Sequence, residues 1–216
     1  MADLDSEKRV AAEAAALLVE DGMRVGLGTG STVAHLLPAL ARRGLTLRCV
    51  STSPATEEQA RSLGLSVEPF DTLEELDIAI DGADQVAPDG WLVKGGGGAH
   101  TREKIVAAAA RRFVVIADSS KAVDAIHAPI PVELLRFGLA ATLHAIAPTE
   151  IRDGWSPSPD GGVIADYRGQ LPDPSTVAGR LASTPGVVDH GLFPAAMVAD
   201  VLIARGDEVE HRSIGL

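Results

Sequence analysis

The chain has 216 residues, 46% hydrophobic and 23% charged, which is enough apolar material for a substantial core and excludes a disordered chain. A net charge of −11 without any Lys/Arg-rich run excludes nucleic-acid binding through a broad basic surface, and 3% aromatics leave no stacking platform for single strands. The single cysteine, Cys49, supplies neither an internal disulfide nor a thiolate zinc cluster, no apolar run approaches the ~20 residues that span a bilayer, and the acidic, polar start MADLDSEKRV is unlike a signal peptide, so a cytoplasmic protein is expected.

In chain order, residues 6–21 read as a helix with Val10, Ala14, Leu17 and Leu18 on one face, capped by Asp5 or Ser6 and ended by Gly22. Arg24 to Leu27 is a short strand, followed by Gly28-Thr29-Gly30-Ser31-Thr32 and a helix to about Arg43. A strand, a Gly/Ser/Thr turn and a helix N-terminus bring free N–H groups, hydroxyls and the positive end of a helix dipole together, which suits a phosphate; the simpler reading is a helix cap at Thr29. The Gly-Lys-Ser/Thr ending of a Walker loop is missing. The dinucleotide fingerprint fails too, because Ser31 or Val33 occupies the third glycine position. The next strand, Thr46 to Val50, ends in Ser51-Thr52-Ser53, with no acidic residue for a ribose diol. Ser53-Pro54 caps and starts a helix to about Leu63-Gly64, and Leu65 to Glu68 reads as a further strand.

Leu76, Ile78 and Ile80 suggest a strand that delivers Asp81 to the carboxyl edge of a parallel sheet, where ligands bind. The stretch from Asp81 to Lys104, DGADQVAPDGWLVKGGGGAHTREK, is poor core material and good site material. Asp81 and Asp84 flank a Gly-Ala pair, and Lys94 runs into Gly95 to Gly98, whose backbone N–H groups can approach an oxygen-rich ligand. Glu103 falls in the first turn of the next helix, whose N-terminus favours a carboxylate, and so suits a general base. Lys94 suits neutralisation of charge developing on a substrate oxygen. Taken singly, the glycines read as a loose loop, Asp81 and Asp84 as turn residues and Glu103 as a helix-end charge.

Phe113 to Ala117 is another buried-type strand, with Asp118-Ser119-Ser120-Lys121 beyond its end. From Pro129 the texture changes: a helix over about 136–146, several Pro/Gly turns, a strand at Val163 to Tyr167, a helix over 175–183 and a strand through Val187, Val188 and Gly191 to Phe193. Val201 to Ala204 returns to the first sheet. The fold class expected is α/β, a Rossmann-like, largely parallel sheet flanked by helices with a second, smaller α+β domain. The boundaries are 1–130 plus 203–216 for the first domain and 131–202 for the second. None of the six histidines forms an H-x-x-x-H or H-x-H pair, so no metal centre is expected.

DGADQV and WLVKGGGGAHTREKIVA resemble the signature of type A ribose-5-phosphate isomerases. GLGTGSTVAHLL, STSPATEEQARSLG, FVVIADSSK, PVE and PGVVDHGLF resemble family segments in family order, across most of the chain. The resemblance implies aldose–ketose isomerisation between ribose 5-phosphate and ribulose 5-phosphate through a cis-enediolate, in the non-oxidative pentose phosphate pathway, without metal or organic cofactor. It implies Glu103 as the base that moves a proton between C2 and C1. Asp81 would open the sugar ring and move protons between O1 and O2, Lys94 would stabilise the enediolate, and Asp84 would hold Lys94 or a sugar hydroxyl. Gly82 and Ala83 would lie along the substrate, and Gly95, Gly96 and Gly97 would donate backbone N–H bonds. Thr29, Gly30, Ser31, Thr32 and Lys121 would bind the phosphate. His100, inside the site segment, would support the pocket. A homodimer or a tetramer is implied, with a small-molecule sugar phosphate as partner and neither nucleic acid nor membrane. Leu134 to Phe137 and His144 to Ser158 depart from the family pattern, both in the second domain. The rival class is a sugar-phosphate effector module, which would share the phosphate loop without needing Asp81, Lys94 and Glu103 together. An amino-sugar-phosphate isomerase/deaminase would look for a catalytic histidine beside the acid pair.

Overall fold

The computed structural model describes residues 3–71, 73–154 and 156–214. The chain opens with α1 (Leu4–Ala16), β1 (Arg24–Leu27), α2 (Ser31–Arg42), β2 (Arg48–Ser51), α3 (Pro54–Ser62) and β3 (Ile78–Gly82). It continues with β4 (Gln85–Val86), β5 (Leu92–Val93), α4 (His100–Ala109), β6 (Phe113–Asp118), a 3-10 turn at Ser119–Lys121 and β7 (Ile130–Leu134). Then follow α5 (Leu139–Ala145), β8 (Thr149–Ile151), β9 (Val163–Tyr167), α6 (Pro174–Ser183), β10 (Val187–His190), β11 (Leu192–Phe193), a 3-10 turn at Ala195–Met197, β12 (Asp200–Arg205) and β13 (Glu208–Ser213). Two compact units result: Met1–Ala83 with Arg102–Ala122 and Ala195–Leu216, and Asp84–Thr101 with Val123–Pro194.

The first unit holds a six-stranded sheet in the order β13-β12-β6-β3-β1-β2, parallel except for the antiparallel edge strand β13. From β1 the chain moves outward to β2, then returns to place β3 on the other side of β1. The direction of winding therefore reverses between β1 and β3, and ligands of parallel sheets bind beyond the carboxyl ends at such a reversal. Those ends carry Gly28 to Thr32 and Asp81-Gly82. Residue side chains in β6 are buried throughout, as expected of a strand covered on both faces. Small residues on α1 (Ala11, Ala12, Ala15 and Ala16) share a core with Leu36, Leu37 and Leu40 of α2 and with Leu27, Ile80 and Ile116 of the sheet. Gly26 lets α4 approach β1, since a Cβ there would overlap Val106. Cys49 lies in this core, where burial pushes its thiol up to about 12; it is a structural side chain.

The second unit contains a four-stranded antiparallel sheet, β10-β7-β9-β8, and a three-stranded one, β11-β5-β4. Ile130, Val132 and Leu134 of β7, Ala165 and Tyr167 of β9, and Val177 and Leu181 of α6 form its core. Asp173 caps α6 by accepting the N–H groups of Ser175 and Thr176, and the hydroxyls of those two residues bond to it as well. Among the described residues no helix is long and apolar enough to cross a membrane.

Several element bounds differ from the sequence expectations. The first helix stops at Ala16 rather than near Asp21, because the Arg43 guanidinium takes the carbonyls of Ala16 and Val19 and so satisfies the chain end early. Leu65 to Glu68 contributes only an isolated bridge, Val67 to Cys49. The helix expected over 136–146 begins at Leu139, after Gly138 in the left-handed conformation. The strand expected through Val187 to Phe193 is two strands in two sheets. The chain crosses between them at Gly191, where a Cβ would overlap the Lys94 carbonyl.

Candidate active site

In the first unit, α2 begins at Gly30, whose φ of +110° suits glycine, and no side chain caps the helix. Thr29 is therefore not the cap. Its hydroxyl pairs with Thr52 Oγ1 at 2.7 Å, and its N–H donates to Asp81 Oδ1 at 3.0 Å. Gly30 and Ser31 are exposed and Thr32 is buried, so an uncapped helix N-terminus of the kind that holds anions faces outward here.

Asp81 is 3% exposed, and its Oδ1 also accepts the Gly82 N–H at 2.7 Å. Gly28 has to be glycine at this point, because a Cβ would fall on the Asp81 carboxyl. Glu103 lies in the first turn of α4 and is 4% exposed. The helix N-terminus favours the ionised form of a carboxylate placed there.

Lys121 ends the 3-10 turn after β6 and is half-buried. Asp118 holds that turn by accepting the Ser120 N–H at 2.9 Å and the Ser120 hydroxyl. Behind it, the buried Glu7 of α1 accepts the Ser119 N–H and the Gly206 N–H, each at 2.9 Å. Bonding to the Ser119 side chain, followed by these two N–H groups, lowers the Glu7 carboxyl below its ordinary value.

The second unit carries Asp84, Lys94 and the glycine run. Asp84 is placed by its N–H, which donates to the Val93 carbonyl at 2.7 Å, and its Oδ2 accepts the Gly96 N–H at 2.7 Å. Lys94 is 2% exposed, with its Nζ 5.6 Å from the centre of the Phe193 ring, within the range of a cation–π contact. Its main-chain N–H donates to the Gly191 carbonyl at 2.9 Å.

Gly95 has φ +100°, and a Cβ on it would come within 2.6 Å of His100 Nδ1. His100 is fully buried, with its ring against the Gly95 backbone. A Cβ on Gly96 would come within 2.6 Å of Asp84 Oδ1. Both positions exclude side chains for steric reasons, and Gly95 also for its left-handed backbone. Gly96 and Gly97 are exposed. Thr101, at the start of α4, donates its hydroxyl to the buried Glu133, which also accepts from Ser158 Oγ.

The chain passes between the units at Ala83/Asp84, Thr101/Arg102, Ala122/Val123 and Pro194/Ala195. Asp81, Gly82, Ala83, Glu103, Thr29 to Thr32 and Lys121 thus belong to the first unit, and Asp84, Lys94 and Gly95 to Gly97 to the second. Among the described residues no group of three or more His, Cys, Asp and Glu side chains is gathered for a metal ion. Thr52, Glu7 and Arg152 pair with the expected site residues or with the turns that carry them, and the sequence reading gave them no site role. A threonine at a strand end was the only local hint for Thr52, and the others act over separations no local pattern reports.

The family model for ribose 5-phosphate isomerase A (phosphoriboisomerase A) matches residues 48–208. Ribose-5-phosphate isomerase A of Nitrobacter hamburgensis is 45% identical over 229 residues, covering 97% of this chain and 99% of that one. The protein of the same name from Methylorubrum extorquens is 46% identical over 220 residues, covering 93% of each chain. Among solved structures, ribose 5-phosphate isomerase A from Neisseria gonorrhoeae superposes with a TM-score of 0.93 at 32% identity and 100% coverage of both chains. A D-ribose-5-phosphate isomerase in complex with phospho-erythronic acid superposes with a TM-score of 0.92 at 29% identity, covering 98% of this chain and 99% of that one. Similarity of this extent in sequence and in fold is membership: the chain belongs to the ribose 5-phosphate isomerase A family.

Proposed function

We propose that Glu103 is the proton-transferring base with which this chain interconverts ribose 5-phosphate and ribulose 5-phosphate. In the open-chain aldose, Glu103 takes the proton from C2 and the electron pair moves through the new C1–C2 double bond onto the C1 carbonyl oxygen, which leaves an enediolate across C1 and C2. The same carboxylic acid then returns its proton to C1 as O2 becomes the ketone oxygen. Asp81, fixed by two backbone N–H groups, carries the proton between O1 and O2. Lys94 balances the negative charge that builds on those oxygens, an electrostatic contribution that acts only as the charge develops. Asp84 and the glycine loop hold the sugar end, and Gly30 to Thr32 with Lys121 hold the phosphate. Remote phosphate binding keeps C1 and C2 in line with the base.

The observation that carries this reading is the burial of Glu103 in the first turn of a helix, inside the REK motif of a family-wide match. The phospho-erythronic acid bound to the related structure supports it, because that compound joins a phosphate to a carboxylate whose charge resembles that of an enediolate. Incubating the protein with ribose 5-phosphate and EDTA in deuterated water tests the reading. Ribulose 5-phosphate should form with deuterium at C1, and the aldose left over should carry it at C2. Turnover without any exchange would argue for direct hydride transfer and against the enediolate.

The oligomer is read as a homodimer or tetramer. Leu135, 52% exposed, and Phe137, 94% exposed, follow β7, and Val188, 43% exposed, lies on the neighbouring strand β10, an apolar set that a second copy of the chain can cover. Light scattering that gave a monomer at micromolar concentration would contradict it.

A further inference from the structure

A tetraglycine run is the least ordered backbone a site can be built on, since glycine has the most freedom to lose. Within the second unit this run is nevertheless fixed from one side by a single guanidinium. Arg152 Nη1 donates to the Gly95 carbonyl at 3.0 Å and to the Gly96 carbonyl at 3.2 Å. Arg152 is in turn held by both oxygens of Asp166, with Nε to Oδ2 at 2.8 Å and Nη2 to Oδ1 at 2.6 Å. The two side chains are mostly buried, at 14% and 12% exposure. Asp166 lies in β9, and Arg152 directly follows β8, its N–H donating to the Ile164 carbonyl at 3.2 Å. The clamp is therefore mounted on a paired strand rather than on another loop.

A trans peptide points its C=O and N–H in opposite directions. Fixing the Gly95 carbonyl therefore fixes the Gly96 N–H, which donates to Asp84 Oδ2 at 2.7 Å. Fixing the Gly96 carbonyl directs the Gly97 N–H away from Arg152. The Gly98 N–H returns to the Gly95 carbonyl at 3.0 Å and closes the turn. We propose that Arg152, oriented by Asp166, is a positioning residue for the isomerisation: it locks the Gly95 and Gly96 carbonyls and so presets the Gly97 N–H that donates to a substrate oxygen. The inference rests on the substrate-binding place given to the glycine loop above. It also gives a use to the 144–158 stretch, which departs from the family pattern in sequence. A lysine cannot substitute, because one ammonium lacks the planar fork that holds a carboxylate and two carbonyls at once.

The test compares Arg152→Ala, Arg152→Lys and Asp166→Asn with the wild-type protein in ribose 5-phosphate turnover, with inorganic phosphate as a competing ligand and with melting temperatures taken alongside. Arg152→Ala is expected to lose about 100-fold in kcat/KM, mostly in kcat, as small misplacements of site groups do. Phosphate inhibition should stay within about 2-fold, because its binding elements lie in the other unit, and millimolar guanidinium should restore part of kcat in Arg152→Ala. Arg152→Lys keeps charge and stem; it should fold and remain slow, and Asp166→Asn should fall between the two. Wild-type kcat and KM in Arg152→Lys would overturn the proposal, as would a lowered melting temperature in Arg152→Ala with unchanged kinetics. The wild-type protein separates this failure from that of the wider reading. If it fails to turn over ribose 5-phosphate, the assigned function falls and the positioning role falls with it. If it turns over and the variants match it, only the role of Arg152 is lost.

Discussion

Thr29 gives its backbone N–H to Asp81 at 3.0 Å, so the loop proposed to hold the phosphate and the carboxylate proposed to move protons are joined by one hydrogen bond. The bond crosses from the end of β1 to the end of β3, the two strands between which the winding of the sheet reverses. Position in the fold, rather than any unusual residue, brings the two groups together.

The tight approach behind that bond gives a first expectation. Gly28→Ala places a Cβ on the Asp81 carboxyl, and either the loop or the aspartate must move. Turnover should fall about 100-fold while the circular dichroism spectrum stays that of the parent. Steady-state kinetics on the purified variant checks this.

Thr52 is a milder probe of the same loop. Thr52→Val keeps the shape and removes the partner of the Thr29 hydroxyl. One neutral hydrogen bond is worth about 1 kcal/mol, so KM for the sugar phosphate should rise about 5-fold with kcat nearly unchanged. Michaelis–Menten constants for the variant distinguish this from a loss in kcat.

Glu7 links α1 to the turn that carries Lys121 and to the hairpin between β12 and β13. Glu7→Ala leaves the Ser119 and Gly206 N–H groups without their acceptor, at a cost of about 2 kcal/mol. The expected outcome is a melting temperature lower by several degrees and a raised KM, measured by calorimetry and by kinetics.

These relationships show how much the amino-acid pattern reveals. The parallel sheet is legible because β3 and β6 are nearly continuous apolar runs that lead into Asp81 and Asp118, and the glycine run after Lys94 stands out as a loop. The two-residue strands β4, β5 and β11 are too short to show any period, yet β5 leads directly into Lys94. The edge strand β13 reads as polar, its residues mostly half-buried or exposed, as edge strands often are. The end of α1 is not legible in the sequence because its closing partner, Arg43, lies at the end of a different helix. Arg152 and the Gly95 and Gly96 carbonyls are more than fifty residues apart in the chain, and an arginine among turn residues carries no local sign of such a task.

The pairing of Arg24 with Asp77 gives a pH dependence. Asp77 accepts from Arg24 Nη2 at 2.8 Å, Nε at 3.1 Å and the main-chain N–H at 2.8 Å, pinning β1 beside β3. The Arg24 side chain above all, then its backbone N–H, lowers the Asp77 carboxyl to about 2. An unfolded aspartate titrates near 3.9, so the folded state gains stability that is complete above about pH 4 and is lost as the pH falls to about 2. With allowance for partial solvent screening the gain is about 1 kcal/mol. Asp77→Asn should therefore be less stable than the parent at pH 7 and indistinguishable from it near pH 2, by denaturant melts at both values.

The most direct test of the central claim is Glu103→Gln, with turnover and binding measured on the same preparation. The amide keeps the size of the side chain and its place in α4 but cannot accept a proton from carbon. Ribose 5-phosphate should bind with an affinity within a few-fold of the parent, while ketose formation and exchange of the C2 proton fall by about three orders of magnitude or more. Retained exchange would show that another group removes the proton, and joint loss of binding and turnover would show that Glu103 builds the site rather than performing its chemistry.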